Sequence, residues 1–93
     1  MNGESREARL GRLRMRSRRR GTREMDLILG AYAQARLSDM SDAELQLYDS
    51  LLSESDRDLY RWVSGQDCPP ERFAELIGDI GSRMVGGRSG WPT

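Results

Sequence analysis

The sequence contains no lysine and no histidine, and it has one cysteine, one phenylalanine and three prolines in 93 residues. Without histidine it lacks both the usual general base near neutral pH and the commonest metal ligand. With Cys68 alone it can form no internal disulfide and no cysteine-based zinc site, and this usage fits a reducing compartment. No apolar run approaches the ~18 residues needed to span a membrane, so membrane insertion is not expected. A chain of this length is one domain with one modest core, burying about 60–65% of its unfolded surface, too little to enclose a deep substrate cavity. No nucleophile–base pair and no convergent acid–base pair is visible, so the sequence does not read as an enzyme.

What the sequence does have is charge, unevenly placed. All 15 basic residues are arginine and balance 15 acids, giving a formal net charge of zero. Residues 1–23 nevertheless hold nine arginines against Glu4 and Glu7, a net of +7. Residues 24–58 hold nine acids against Arg36 and Arg57, a net of −7. Such polarity marks an interaction surface, or two parts of one chain that neutralise each other. An arginine-rich, serine-containing N-terminus also has the composition of a mitochondrial transit peptide, but Glu4, Glu7 and the lack of a spacer argue against that reading.

Apolar residues recur at helical spacing along nearly the whole chain, without sustained strand alternation, which predicts an all-α, compact five-helix bundle. The first helix, about residues 5–18, has a thin stripe of Ala8, Leu10, Leu13 and Met15, interrupted by Gly11. The second starts near Gly21 and turns Met25, Ile28, Leu29, Tyr32 and Ala35 inward, ending at a turn over Leu37–Met40. Ser41 and Glu44 form a capping-box pattern ahead of a third helix with Leu45, Tyr48, Leu51 and Leu52 on its core face. Ser55 caps a short fourth helix that carries Leu59, Trp62 and Val63 and closes at Gly65. Pro69 and Pro70 suit the first turn of a fifth helix through Phe73, Leu76, Ile77, Ile80 and Met84. Residues 1–86 are thus expected to form a single helical-bundle domain, its first few residues frayed, and residues 87–93 a flexible C-terminal tail.

The seam between the arginine block and the second helix reads Arg20-Gly21-Thr22-Arg23-Glu24. It is followed in order by Leu37-Ser38-Asp39-Met40-Ser41-Asp42-Ala43-Glu44-Leu45, by Leu51-Leu52, by Asp56 to Gly65, and by Pro69-Pro70. This succession resembles the SdhE-type flavinator family over roughly residues 12–80, with Arg20, Gly21 and Glu24 standing where that family has its Arg-Gly-x-x-Glu motif. The resemblance implies a five-helix bundle that acts as an assembly factor for the flavoprotein subunit of succinate dehydrogenase, or of a related fumarate reductase. It implies that covalent FAD attachment is chemistry of the client, whose histidine attacks the 8α-methyl carbon, and that the flavinator itself binds no cofactor tightly. It implies a partner-binding site of Arg20, Gly21 and Glu24, with Arg16, Arg19, Arg23 and Asp26 as rim contacts. The protein is then a monomer of the bacterial cytoplasm, or of the mitochondrial matrix if its source is eukaryotic. One departure stands out: the family often has an aromatic shortly before the motif, where this chain has Arg18-Arg19.

A purely local reading of the motif makes Gly21 the N-cap and Glu24 an acceptor of its backbone amide. That reading leaves Arg20 unexplained, because it places a cation at the positive end of the second helix. The alternative function is a small arginine-rich nucleic-acid-binding module. Against it, no aromatic lies between Arg12 and Arg20 to stack on bases, and the acidic helices that follow repel phosphate. Cys68-Pro69 has the form of a haem-regulatory dipeptide but no second ligand, so Cys68 reads as a solvent-facing loop thiol.

Overall fold

A computed structural model of the chain describes the backbone of residues 4–87 and the side chains of residues 4–83. Helix α1 spans Arg6–Arg18, α2 Arg23–Arg36, α3 Asp42–Leu51, α4 Asp56–Val63 and α5 Glu71–Gly87, with a single 3₁₀ turn at Leu37–Asp39 between α2 and α3. Among the described residues there is no strand, and no helix is long and apolar enough to cross a membrane.

Four of the five helices begin on a hydroxyl side chain. The Ser5 hydroxyl accepts from the Ala8 amide at 3.1 Å, Thr22 from Met25 at 3.4 Å, Ser41 from Glu44 at 3.2 Å and Ser55 from Asp58 at 3.1 Å. Each satisfies one of the amides that a helix start leaves without a partner. At Ser41 the box is reciprocal, with the Ser41 amide donating to Glu44 Oε1 at 2.8 Å. Helix α4 ends through Gly65, whose φ of 85° is the left-handed conformation that a side chain would strain. Pro69 and Pro70 lie just ahead of α5 and not within it.

The core gathers one face of every helix. Leu13, Met25, Leu29, Leu37, Leu45, Tyr48, Leu51, Leu59 and Phe73 are fully buried, and Leu10, Ile28, Tyr32, Ala33, Met40, Leu52, Val63, Leu76, Ile77 and Ile80 nearly so. Helix α1 packs mainly on α2, and α5 closes the bundle against α2, α3 and α4.

Four expectations about the core need correcting. On α1 the inward face is Leu10, Leu13 and Ser17, spaced i, i+3, i+7, while Ala8 and Met15 are exposed. On α2 it is Ala33, one turn beyond Leu29, that turns inward, and Ala35 faces solvent. Gly11 does not interrupt α1, because it sits on the exposed face where open space surrounds it. Trp62 is only half-buried, lying over the edge of the core with its ring 6.2 Å from that of Phe73. Helix α5 runs one residue into the expected tail; the remainder of that tail, Trp91 and the side chain of Met84 lie outside the described residues.

The buried Ser17 has a polar partner that its spacing did not announce. Its hydroxyl donates to the Leu13 carbonyl at 2.7 Å and lies 2.6 Å from the Tyr48 hydroxyl. Serine has one proton, so Tyr48 donates to Ser17 and both hydroxyls are satisfied. Burial pushes the Tyr48 phenol up to about 12.

Candidate partner-binding site

The two charge blocks meet across the α1–α3 interface. Arg6 reaches Asp42 at 3.2 Å and the Met40 carbonyl at 2.5 Å. Arg12 donates to Glu4 at 2.7 Å and to Asp49 at 3.2 Å, and Arg16 pairs with the same Asp49 carboxylate. The hydrogen bond from Arg12 holds the Glu4 carboxyl below its ordinary range. Much of the apparent N-terminal basicity is therefore neutralised inside the molecule.

Arg20 lies in the loop between α1 and α2, and its guanidinium turns toward the α3–α4 junction. Nε donates to Asp56 Oδ1 at 2.7 Å, Nη1 to the Leu52 carbonyl at 2.6 Å and Nη2 to the Glu54 carbonyl at 2.8 Å. The side chains of Arg20 and Asp56 are 10% and 12% exposed. Leu52 is the C-terminal cap of α3 and Asp56 the first residue of α4, so the cation faces a negative helix end and the anion a positive one. This resolves the placement of Arg20: it serves the C-terminus of α3 and not the N-terminus of α2.

Asp56 holds the motif backbone as well. Its Oδ2 accepts from the amides of Gly21 at 2.6 Å and Thr22 at 3.0 Å. A Cβ at position 21 would sit 3.3 Å from that oxygen, tighter than ordinary contact, so glycine is suited to this approach. The Arg20 amide donates to Asp26 Oδ1 at 2.6 Å. The capping residue of α2 is therefore Thr22, and the Gly21 amide goes to Asp56 and not to Glu24. The local reading, with Gly21 as N-cap and Glu24 as its acceptor, does not hold.

The seven residues singled out from the sequence divide into two groups. Arg16, Arg20 and Asp26 are bound within the fold. Arg19, Gly21, Arg23 and Glu24 are exposed, and the side chains of Arg19, Arg23 and Glu24 make no hydrogen bond or ion pair among the described residues. Glu24, second in α2, opens onto a groove of about 540 Å³ that it shares with Thr22, Asp56, Arg57, Tyr60, Arg61 and Gln66. Sequence reasoning gave no site role to this α4 wall or to Asp56, whose partner Arg20 lies 36 positions away. Among the described residues no cluster of three or more acidic or cysteine side chains could hold a metal ion. Cys68 is exposed in the α4–α5 loop.

Fold and site define a small helical-bundle protein with a rigidly tied loop, anchored by Arg20, that presents Gly21, Arg23 and Glu24 at one helix start. The family described as flavinator of succinate dehydrogenase matches residues 11–84, and this chain belongs to that family. It is similar to succinate dehydrogenase assembly factor 2, mitochondrial, of Mycosarcoma maydis, with 38% identity over 87 residues that cover 90% of this chain and 37% of that protein. The protein of the same name from Yarrowia lipolytica is 44% identical over 78 residues, covering 80% of this chain and 53% of the relative. That from Meyerozyma guilliermondii is 45% identical over 62 residues, covering 67% and 46%. The chain thus spans between a third and about half of the length of these curated relatives.

Proposed function

We propose that this protein is an assembly factor that binds the flavoprotein subunit of succinate dehydrogenase and promotes its covalent attachment of FAD. The observation that carries the reading is membership of the flavinator family across a segment that includes the whole Arg20–Glu24 motif. The geometry supports a division of labour within that motif. Arg20 and Asp26 hold the loop in shape, and Gly21, Arg23 and Glu24, with Arg19 beside them, face the client. FAD belongs to the client, and the chain acts as a binding partner that favours a flavinylation-competent client, without catalytic groups of its own. It works as a monomer, on succinate dehydrogenase or on a related fumarate reductase. Its relatives are named as mitochondrial proteins; the matching compartment here is the mitochondrial matrix in a eukaryote and the cytoplasm in a bacterium. The nucleic-acid alternative finds no support, since Arg6, Arg9, Arg12 and Arg16 already face Glu4, Asp42 and Asp49.

The test is client flavinylation, read as flavin fluorescence of the flavoprotein in a denaturing gel. Co-expression with this chain is expected to raise covalent FAD on the client, and Glu24→Ala and Glu24→Gln are expected to lower it while helicity and melting temperature stay at the wild-type level. Full flavinylation by both folded variants would remove Glu24 from the site. No dependence of the client on the wild-type chain would overturn the function. Gly21→Arg is a weaker probe, because its Cβ presses on Asp56 and its effect mixes binding with stability.

A further inference from the structure

The motif occupies only one side of its groove. The other side is the exposed face of α4, where Arg57, Tyr60 and Arg61 follow one another within little more than a turn. Asp56, which binds the Gly21 and Thr22 amides and the Arg20 guanidinium, is the residue immediately before Arg57. The two walls are therefore fixed relative to each other by a nearly buried ion pair.

We infer that α4 forms the second half of the docking surface, with Arg57 and Arg61 receiving alternate carboxylates of an extended segment of the client, whose intervening residues turn hydrogen-bond donors or cations toward Glu24 on the opposite wall. The charge pattern selects this occupant. Arg57 makes no ion pair among the described residues, and Arg61 makes one exposed pair, with Asp67 at 3.4 Å. Positions i and i+4 of a helix are neighbours on one face, separated by ~6 Å along the axis. Alternate side chains of an extended strand recur every ~6.6 Å and point the same way. A segment with acids at alternate positions thus matches both guanidiniums at once. Half-buried Tyr60, between them in sequence, offers an apolar ring and a hydroxyl to the same segment. The surface is also continuous with the exposed motif residues, so one partner can cover both walls.

This inference rests on the client-binding role proposed above, and the experiment separates the two. Binding of purified flavoprotein subunit of succinate dehydrogenase is measured for the wild type, Glu24→Ala, Arg57→Glu, Arg61→Glu and, on a different groove of α2, Leu27→Glu, each checked by circular dichroism and melting. Arg57→Glu and Arg61→Glu are each expected to raise Kd about tenfold or more and to flatten its dependence on salt, with the fold intact. Arg57→Lys, which keeps the charge, is expected to stay closer to the wild type than Arg57→Glu. Wild-type affinity in both α4 reversals, with Glu24→Ala weakened, overturns the inference and leaves the function standing. Loss in Leu27→Glu without loss in the α4 variants moves the surface to the other groove and overturns it equally. Loss of affinity with unchanged salt dependence rejects the acidic occupant. A wild-type chain that binds no flavoprotein overturns both readings.

Discussion

Arg20 and Asp56 stand 36 positions apart in the chain and are joined at 2.7 Å in the fold, with both side chains nearly buried. Around this pair the α1–α2 loop, the end of α3 and the start of α4 become one rigid unit. Both charges are compensated beyond each other, Arg20 by two backbone carbonyls and Asp56 by two backbone amides. A buried ion pair so provided for resists the desolvation that otherwise makes such pairs unfavourable. In this chain the first residue of the motif builds the site and the last is presented by it.

Removal of one partner should therefore cost stability before it costs anything else. Arg20→Ala leaves Asp56 uncompensated and two carbonyls without donors, and is expected to destabilise by about 3–5 kcal/mol in urea unfolding. Arg20→Lys keeps the charge but not the planar fork, so it should fall between wild type and Ala. An Arg20→Ala protein with wild-type stability and lost client binding would show Arg20 to be a contact and not a strut.

Leu51 and Trp62 were both expected from spacing to be core residues, and the structure separates them. Leu51 is fully buried, and Leu51→Ala should cost about 2–5 kcal/mol through lost contacts and the cavity left behind. Trp62 is only partly buried at the edge of the core, so Trp62→Ala should cost less than the about 3–5 kcal/mol typical of a fully buried large aromatic. Paired urea titrations check the order; equal losses would place Trp62 deeper than its exposure indicates.

The absence of lysine makes alkaline titration informative, because between pH 10 and 12 the tyrosines dominate. Burial raises the Tyr48 phenol from its ordinary 10 to about 12 in the folded state. A raised folded pKa means that this stabilisation is complete below pH 10 and is lost as pH climbs toward 12, since the unfolded chain ionises first. The full effect is about 2–3 kcal/mol. Tyr32 adds to it, its phenol held neutral by burial and by its hydrogen bond to Asp79 at 2.7 Å. Melting temperature should fall over this window, and less steeply in Tyr48→Phe than in the wild type; identical slopes would mean that Tyr48 ionises without hindrance.

Asp49 is the acid on which Arg12 and Arg16 converge, in a partly exposed setting. Surface ion pairs are worth about 0–1 kcal/mol each and are screened by salt. Asp49→Asn should thus lower stability by about 1 kcal/mol in dilute buffer. The difference from wild type should vanish near 1 M salt, where the screening length is ~3 Å. A deficit that persisted in high salt would assign Asp49 a role through its hydrogen bonds and not its charge.

The sequence by itself determined the five helices, the hydroxyl caps of α3 and α4, the glycine that closes α4 and most of the core. Each of these depends on residues within one or two turns: Ser41 and Glu44 are three positions apart, and the α2 stripe of Met25, Ile28, Leu29 and Tyr32 repeats with the helical period. The error at Met15 was one of position on the wheel, since it lies opposite the face of Leu10, Leu13 and Ser17, and that at Ala35 arose at the last turn of α2, where Ala33 and Ala35 flank the stripe on either side. What only the tertiary structure decided is which charged residues of the motif face inward. Arg16 meets Asp49 across 33 positions, Ser17 meets Tyr48 across 31, and Arg20 meets Asp56 across 36. No local pattern encodes such pairings, because any of the 15 acids could in principle answer any of the 15 arginines until packing of α1 on α2, and of both near the α3–α4 junction, brings particular ones together. Glu24 differs from Arg20 in its setting for the same reason. Both stand in one five-residue motif, yet the fold places a carboxylate against Arg20 and leaves Glu24 facing an open groove.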